Sequence, residues 1–274
     1  MAVLTRILAT TAFALVFATL GLTAQQPAQG QQAPPTQQAR APMDLTGTWV
    51  SVVTEDWRWR MVTPAKGDYA SVPLNPAGQK VADSWDLAKD AAEGNQCRAF
   101  GVGGIMRIPG RMSISWQDGN TLKVEFDAGT QTRVLKFTAG ALSGEKTWQG
   151  DSAAAWDGVV GGGRGGGVIQ GGGIAVAGGG GPFVPRGGSL RVVTTNMRSG
   201  YLRKNGVPYS DAMVLTEYFD RHDERDKTQW ITVTSIVDDP RYLNGQFVTS
   251  TSFKKEPDRS KFLPTTCTID PPRT

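Results

Sequence analysis

From residue 44 onward, apolar and polar positions alternate with a period of two. In "DLTGTWVSVV", Thr48, Val50 and Val52 alternate with Trp49, Ser51 and Val53, and β-branched residues in that period predict a strand. "GRMSISWQDGNTLKVEFDAGTQTRVLKFTAG" reads as a run of hairpins. Ile114 and Trp116 share a face, and Asp118-Gly119 supplies a tight turn. Leu122, Val124 and Phe126 then return against Lys123, Glu125 and Asp127, and "DAGTQ" turns the chain into a strand over 132–137. "KTWQGDSAAAW", "GSLRVVTTNM", both halves of "MVLTEYFDRHDERDKTQWITVTSIV" and "GQFVTSTSFKK" carry the same signal, with "YLRKNGVPYS" a loop around Asn205-Gly206. One stretch differs. In "LNPAGQKVADSWDLAKDAAEG", Asn75 is a good N-cap and Pro76 suits a first helical turn, which predicts one helix, or two short ones, over 76–92. About eight to ten strands with hairpin connections predict a mainly β fold, an antiparallel meander closed into a barrel so that no strand edge is left exposed.

Three segments fall outside this pattern. Arg6 precedes an apolar run over 7–22, and Thr23-Ala24 supplies small residues after it. That order predicts a secretory signal peptide over 1–24, and hence a periplasmic or secreted protein; an uncleaved anchor is the alternative. No later stretch is apolar and long enough to span a bilayer, which takes roughly 20 residues. Residues 25–43 are Gln, Pro and Ala with little apolar bulk, and read as a disordered leader before a single domain over 44–274. The third segment, 158–188, holds about half of the chain's 34 glycines. It has no lysine for a P-loop, is followed by a strand rather than the helix of a dinucleotide fold, and carries only Arg164 and Arg186 where RNA-binding Arg-Gly-Gly tails repeat arginine. It reads as a low-complexity insertion between two strands, tolerated because loop length costs little.

Charge and cysteines narrow the function classes. A formal net charge of +4, spread along the chain, does not call for nucleic acid. The two cysteines, Cys97 and Cys267, predict a disulfide if the chain is exported, with two free thiols as the alternative. A single histidine, His222, in a charged turn excludes a zinc cluster and a serine–histidine triad in practice, and no cofactor motif is present.

Gly47-x-Trp49 on a first strand, ahead of a β-meander, resembles the lipocalin and wider calycin barrels. The resemblance implies that Trp49 closes the barrel floor beneath a basic side chain from near the last strand, for which Lys254, Lys255 and Arg259 are candidates. It also implies a cup for a small apolar molecule. The family's Thr-Asp-Tyr motif has only a loose echo in Thr216-Glu217-Tyr218. "EDWRWRM" and "LRKNGVPYS" further resemble segments of an uncharacterised group of exported bacterial proteins, which implies no activity. For ligand binding the candidates are Trp57, Trp59, Trp116, Phe126 and Trp230. In "EDWRWRM", a strand would put Trp57 and Trp59 on one face and Arg58 and Arg60 on the other. Arginines so placed either stack on rings and hold carboxylates or stay solvated. An enzyme of the isomerase or lyase kind is the alternative. It would use Asp127 or Glu217 as an acid–base group, raised by burial, with Arg133 or Tyr218 steadying an oxyanion. The alternation around Glu125 and Asp127 more often means a wet outer face. A structural envelope protein without a pocket is the third reading.

Overall fold

The computed structural model describes residues 34–137, 144–158 and 188–272. The expected signal peptide, the leader up to residue 33 and residues 159–187 of the glycine tract lie outside them. The strands, in chain order, are β1 (Gly47–Val52), β2 (Arg111–Asp118), β3 (Thr121–Phe126), β4 (Gln131–Lys136), β5 (Asp151–Asp157), β6 (Ser189–Thr195), β7 (Gly200–Tyr201), β8 (Pro208–Tyr209), β9 (Val214–Asp223), β10 (Gln229–Asp238) and β11 (Phe247–Lys255). β7 and β8 form a separate ribbon; the other nine close into one barrel whose neighbours follow chain order, with β11 pairing back onto β1.

Closure with nine strands has a geometric consequence. An odd ring cannot alternate direction all the way round, so one junction must be parallel. That junction is β4–β5, paired only at Leu135↔Ser152 and Lys136↔Ala153, while the other barrel pairs are antiparallel. The meander expected from sequence is thus a mixed barrel, since parallel neighbours cannot be joined by a tight hairpin and need a longer crossover.

Alternation fills the interior. Met112, Ile114, Leu122, Val124, Leu135, Leu190, Val192, Phe219, Ile231, Val233 and Phe253 are all buried in one contiguous cluster. Burial of each such side chain contributes about 1.5–3 kcal/mol. At the end where β1 begins, Phe137 packs between Trp116 and Trp156, with centroids 5.7 and 5.3 Å away. Residues 36–40, expected to be part of a disordered leader, instead dock here. The amide of Gln38 donates to the Gly119 carbonyl (2.9 Å), and Trp156 Nε1 donates to the Gln37 carbonyl (3.3 Å).

The opposite end carries a cap built from the β1–β2, β6–β9 and β10–β11 connections, with its own core around Leu202, Val207, Tyr209 and Phe247. The expected helical stretch is two helices, α2 (Pro76–Asp83) and α3 (Leu87–Ala92), after a single turn α1 (Trp57–Arg60). Asn75 Oδ1 accepts from Gly78 N (2.8 Å), as its N-cap role requires. The break between α2 and α3 has a local cause: Asp86 Oδ1 accepts from Ala88 N and Lys89 N, which starts a new helix. "EDWRWRM" is the turn α1 rather than a strand, since Asp56 takes a left-handed conformation (φ 53°) just before it. After β11 the tail runs back to the cap, where Cys267 forms a disulfide with Cys97. Among the described residues no helix is long and apolar enough to cross a membrane.

Candidate functional site

Two features of the barrel bear on the expected chemistry. The first is at the floor. Lys255 pairs with Trp49 across β1–β11, and its Nζ sits 5.3 Å from the centre of the fully buried Trp49 ring. Gly47 takes φ +122°, and a Cβ there would fall 2.9 Å from Lys255 Cε. The Gly-x-Trp motif thus leaves room for the basic side chain that covers the tryptophan.

The second is inside. β4 and β9 direct Arg133 and Glu217 into the barrel, where both are essentially fully buried. Arg133 donates from Nη2 to Glu217 Oε2 (2.5 Å) and from Nη1 to Oε1 (3.2 Å). Nη2 also reaches Thr194 Oγ1 (3.3 Å), which is bonded to Ser152 Oγ (2.8 Å). Glu217 and Arg133, two of the four expected catalytic residues, therefore meet. The bidentate pair engages both carboxylate oxygens and, through Thr194 and Ser152, links four strands, while Arg133 Nε has no partner among the described residues.

The other expected residues are elsewhere. Tyr218, next to Glu217 on β9, points to the outer face and is half-buried. Asp127 follows β3 and acts on backbone: Oδ1 accepts from Arg111 N and Ala128 N, both at 2.7 Å. Phe126 is core and Trp116 belongs to the floor cluster. Trp57 is 66 % exposed on the cap, whereas Trp59 is half-buried. Trp230 lies at the barrel's outer surface near Lys254 (5.8 Å). Among the described residues, neither of the two larger clefts in the cap is lined by any of the five aromatic candidates.

The clefts lie in the cap. One of about 240 Å³ is lined by Trp85, Lys89, Asp90, Glu93, Arg98, Tyr201 and Tyr209 among others. A second of about 220 Å³ runs between α3 and the C-terminal tail, lined chiefly by Leu87, Ala91, Tyr201, Cys267 and Ile269. Asp90 and Tyr201 line both. Asp90, buried on α3, accepts from Arg98 Nη1 (2.7 Å) on Oδ1 and from Tyr201 OH (2.8 Å) on Oδ2. Arg98 Nη1 also donates to Tyr201 OH (3.2 Å). Burial, opposed by the Arg98 hydrogen bond and aided by Asp90, pushes the Tyr201 phenol up to about 12. At neutral pH the phenol is therefore a fixed donor to Asp90, a group that orients rather than one that exchanges protons.

Periodicity hid this site. Asp90 reads as an exposed helix acid, and Tyr201 lies in a segment without regular alternation. Only Cys97, beside Arg98, marked the neighbourhood. No family model, curated protein or solved structure matches this chain.

Proposed function

We propose that this protein is an exported, lipocalin-like binding module that takes a small amphipathic molecule at its capped end. The observation that carries the reading is that two clefts, one polar and one mainly apolar, share Asp90 and Tyr201. Each lies just under the roughly 300–1,000 Å³ of small-molecule sites. An apolar body would lie against Leu87, Ala91 and Ile269, and a polar head would reach Lys89, Glu93 and Arg98. Compared with the barrel cup implied by resemblance, the site moves outward, because apolar side chains and the Arg133–Glu217 pair occupy the interior. Lys255 over Trp49 supports the lipocalin-like reading. The disulfide supports export, since such bonds persist in oxidising compartments.

Ala91 is exposed at the edge of the apolar cleft, so Ala91→Trp fills the cleft without touching the core. Short-chain fatty acids, alkylamines and aryl acids titrated calorimetrically should include at least one saturable binder, and Ala91→Trp should weaken it tenfold or more. A flat response across the panel, or equal affinity in the variant, would refute the reading.

A further inference from the structure

The two segments that stood out in the sequence, "EDWRWRM" and "LRKNGVPYS", come together in the cap. Arg203, in the turn between β7 and β8, lays its guanidinium over the Trp59 ring at 4.5 Å. Asn205 Nδ2 ties the same turn to the carbonyls of Ala65 (2.9 Å) and Asp68 (3.1 Å). Gly206 makes this approach possible, with φ +83° and Trp85 where a Cβ would stand.

Three buried arginines line one small cavity here: Arg60, Arg107 and Arg203 are 1 %, 6 % and 4 % exposed. Arg60 gives Nη1 to Glu55 and Nε to the Arg107 carbonyl (3.1 Å), and Arg107 gives Nη2 to Asp56 (2.8 Å). Arg203 has no carboxylate of its own; Asp68 accepts instead from Arg58 (2.6 Å) and Trp59 (3.2 Å). Of these three arginines, five buried guanidinium nitrogens donate to no group among the described residues: Arg60 Nη2, Arg107 Nη1, and Nε, Nη1 and Nη2 of Arg203. Burial, with Arg107 nearby, pulls the Arg203 guanidinium down to about 10, so it still carries charge at neutral pH. Asp56 and Asp68 lie close enough to oppose that fall, but neither accepts a hydrogen bond from Arg203, and a buried cation with idle donors is costly.

We infer that Arg203, Arg107 and Arg60 form a buried site for one monovalent anion of about chloride size. The cavity, about 10 Å³, admits roughly one water-sized sphere. A space that small suits a single-atom halide among N–H donors better than a tetrahedral oxyanion. The site is separate from the clefts around Asp90 and does not depend on their ligand.

Thermal unfolding at constant ionic strength, with chloride replacing gluconate, tests it. Chloride should raise Tm saturably, bromide should do the same, and Arg203→Met should weaken the apparent chloride affinity at least tenfold. Equal responses to chloride and gluconate, or a chloride response kept in Arg203→Met, would overturn the site. A larger sulfate response that Arg203→Met removes would overturn its size. Bromide-soaked wild-type crystals give a reading independent of the variant's folding. Anomalous density bounded by the three guanidinium groups is expected, and its absence there would refute the assignment.

Discussion

Glu217 and Arg133 show how one pair of side chains can be structural in a place where chemistry was expected. Truncating one partner leaves a buried charge alone, which costs about 3–5 kcal/mol, whereas replacing both with apolar residues of similar volume is close to neutral. Glu217→Ala is therefore expected to lose about 3–5 kcal/mol in urea unfolding, and the double change Glu217→Leu/Arg133→Met to recover most of it. A loss under about 1 kcal/mol would mean that water reaches the pair. Tyr201 gives a pH signature. Its phenol holds its proton more tightly folded, near 12, than at the ordinary 10. That contribution is complete below pH 10 and is lost as pH climbs through 12. The wild type should lose stability over this window more steeply than Tyr201→Phe; comparing the two removes the share of Tyr69, also pushed up to about 12. At this scale the sequence was partly legible. Gly47 and Trp49 announced the floor, and Lys255 answers them. Asp90 was silent, and Arg203 was marked only by its segment, because their burial is set by segments far away in the chain.

At the scale of elements, strands were readable wherever one face is buried and the other wet, as in Leu122, Val124 and Phe126 on β3. The helical insert was readable from Asn75 and Pro76, and its division rests on Asp86. α1 was not legible, since four residues of alternating Trp and Arg fit a strand as well as a turn, and the left-handed Asp56 decides between them. The disulfide joins residues 170 apart and anchors the tail beside α3. Loop closure of that length contributes at most about 5 kcal/mol, and measured values for single bridges are typically 2–4. Cys97→Ser with Cys267→Ser should cost about 2–5 kcal/mol. It should also speed proteolysis of residues 256–272 and weaken any ligand held against Ile269. The glycine tract leaves β5 and re-enters β6 at neighbouring points, Asp157 pairing with Ser189. Replacing 159–187 by a short turn should therefore keep the barrel and raise stability by about 1–2 kcal/mol through reduced closure entropy. A variant that folds yet loses binding at the cap would assign the tract a role beyond linkage.

For the molecule as a whole, hairpin spacing pointed to a closed barrel, but strand count and direction depend on pairing between distant segments. The proposed binding surface lies at the cap rather than in the barrel. A small barrel buries its interior to be stable, so the cap, assembled from three inter-strand connections, is where polar groups with unfilled bonding capacity can gather. The odd ring has one more consequence. The parallel junction joins β4 to β5 by two residue pairs, whereas β9 and β10 share ten. It is the thinnest stretch of wall, and Arg133 on β4 and Ser152 on β5 stand directly behind it. Amide hydrogens of Leu135, Lys136, Ser152 and Ala153 should exchange with deuterium faster than those at the centre of β10. If the cylinder breathes anywhere, it unzips along this line first, and solvent enters beside its buried charges.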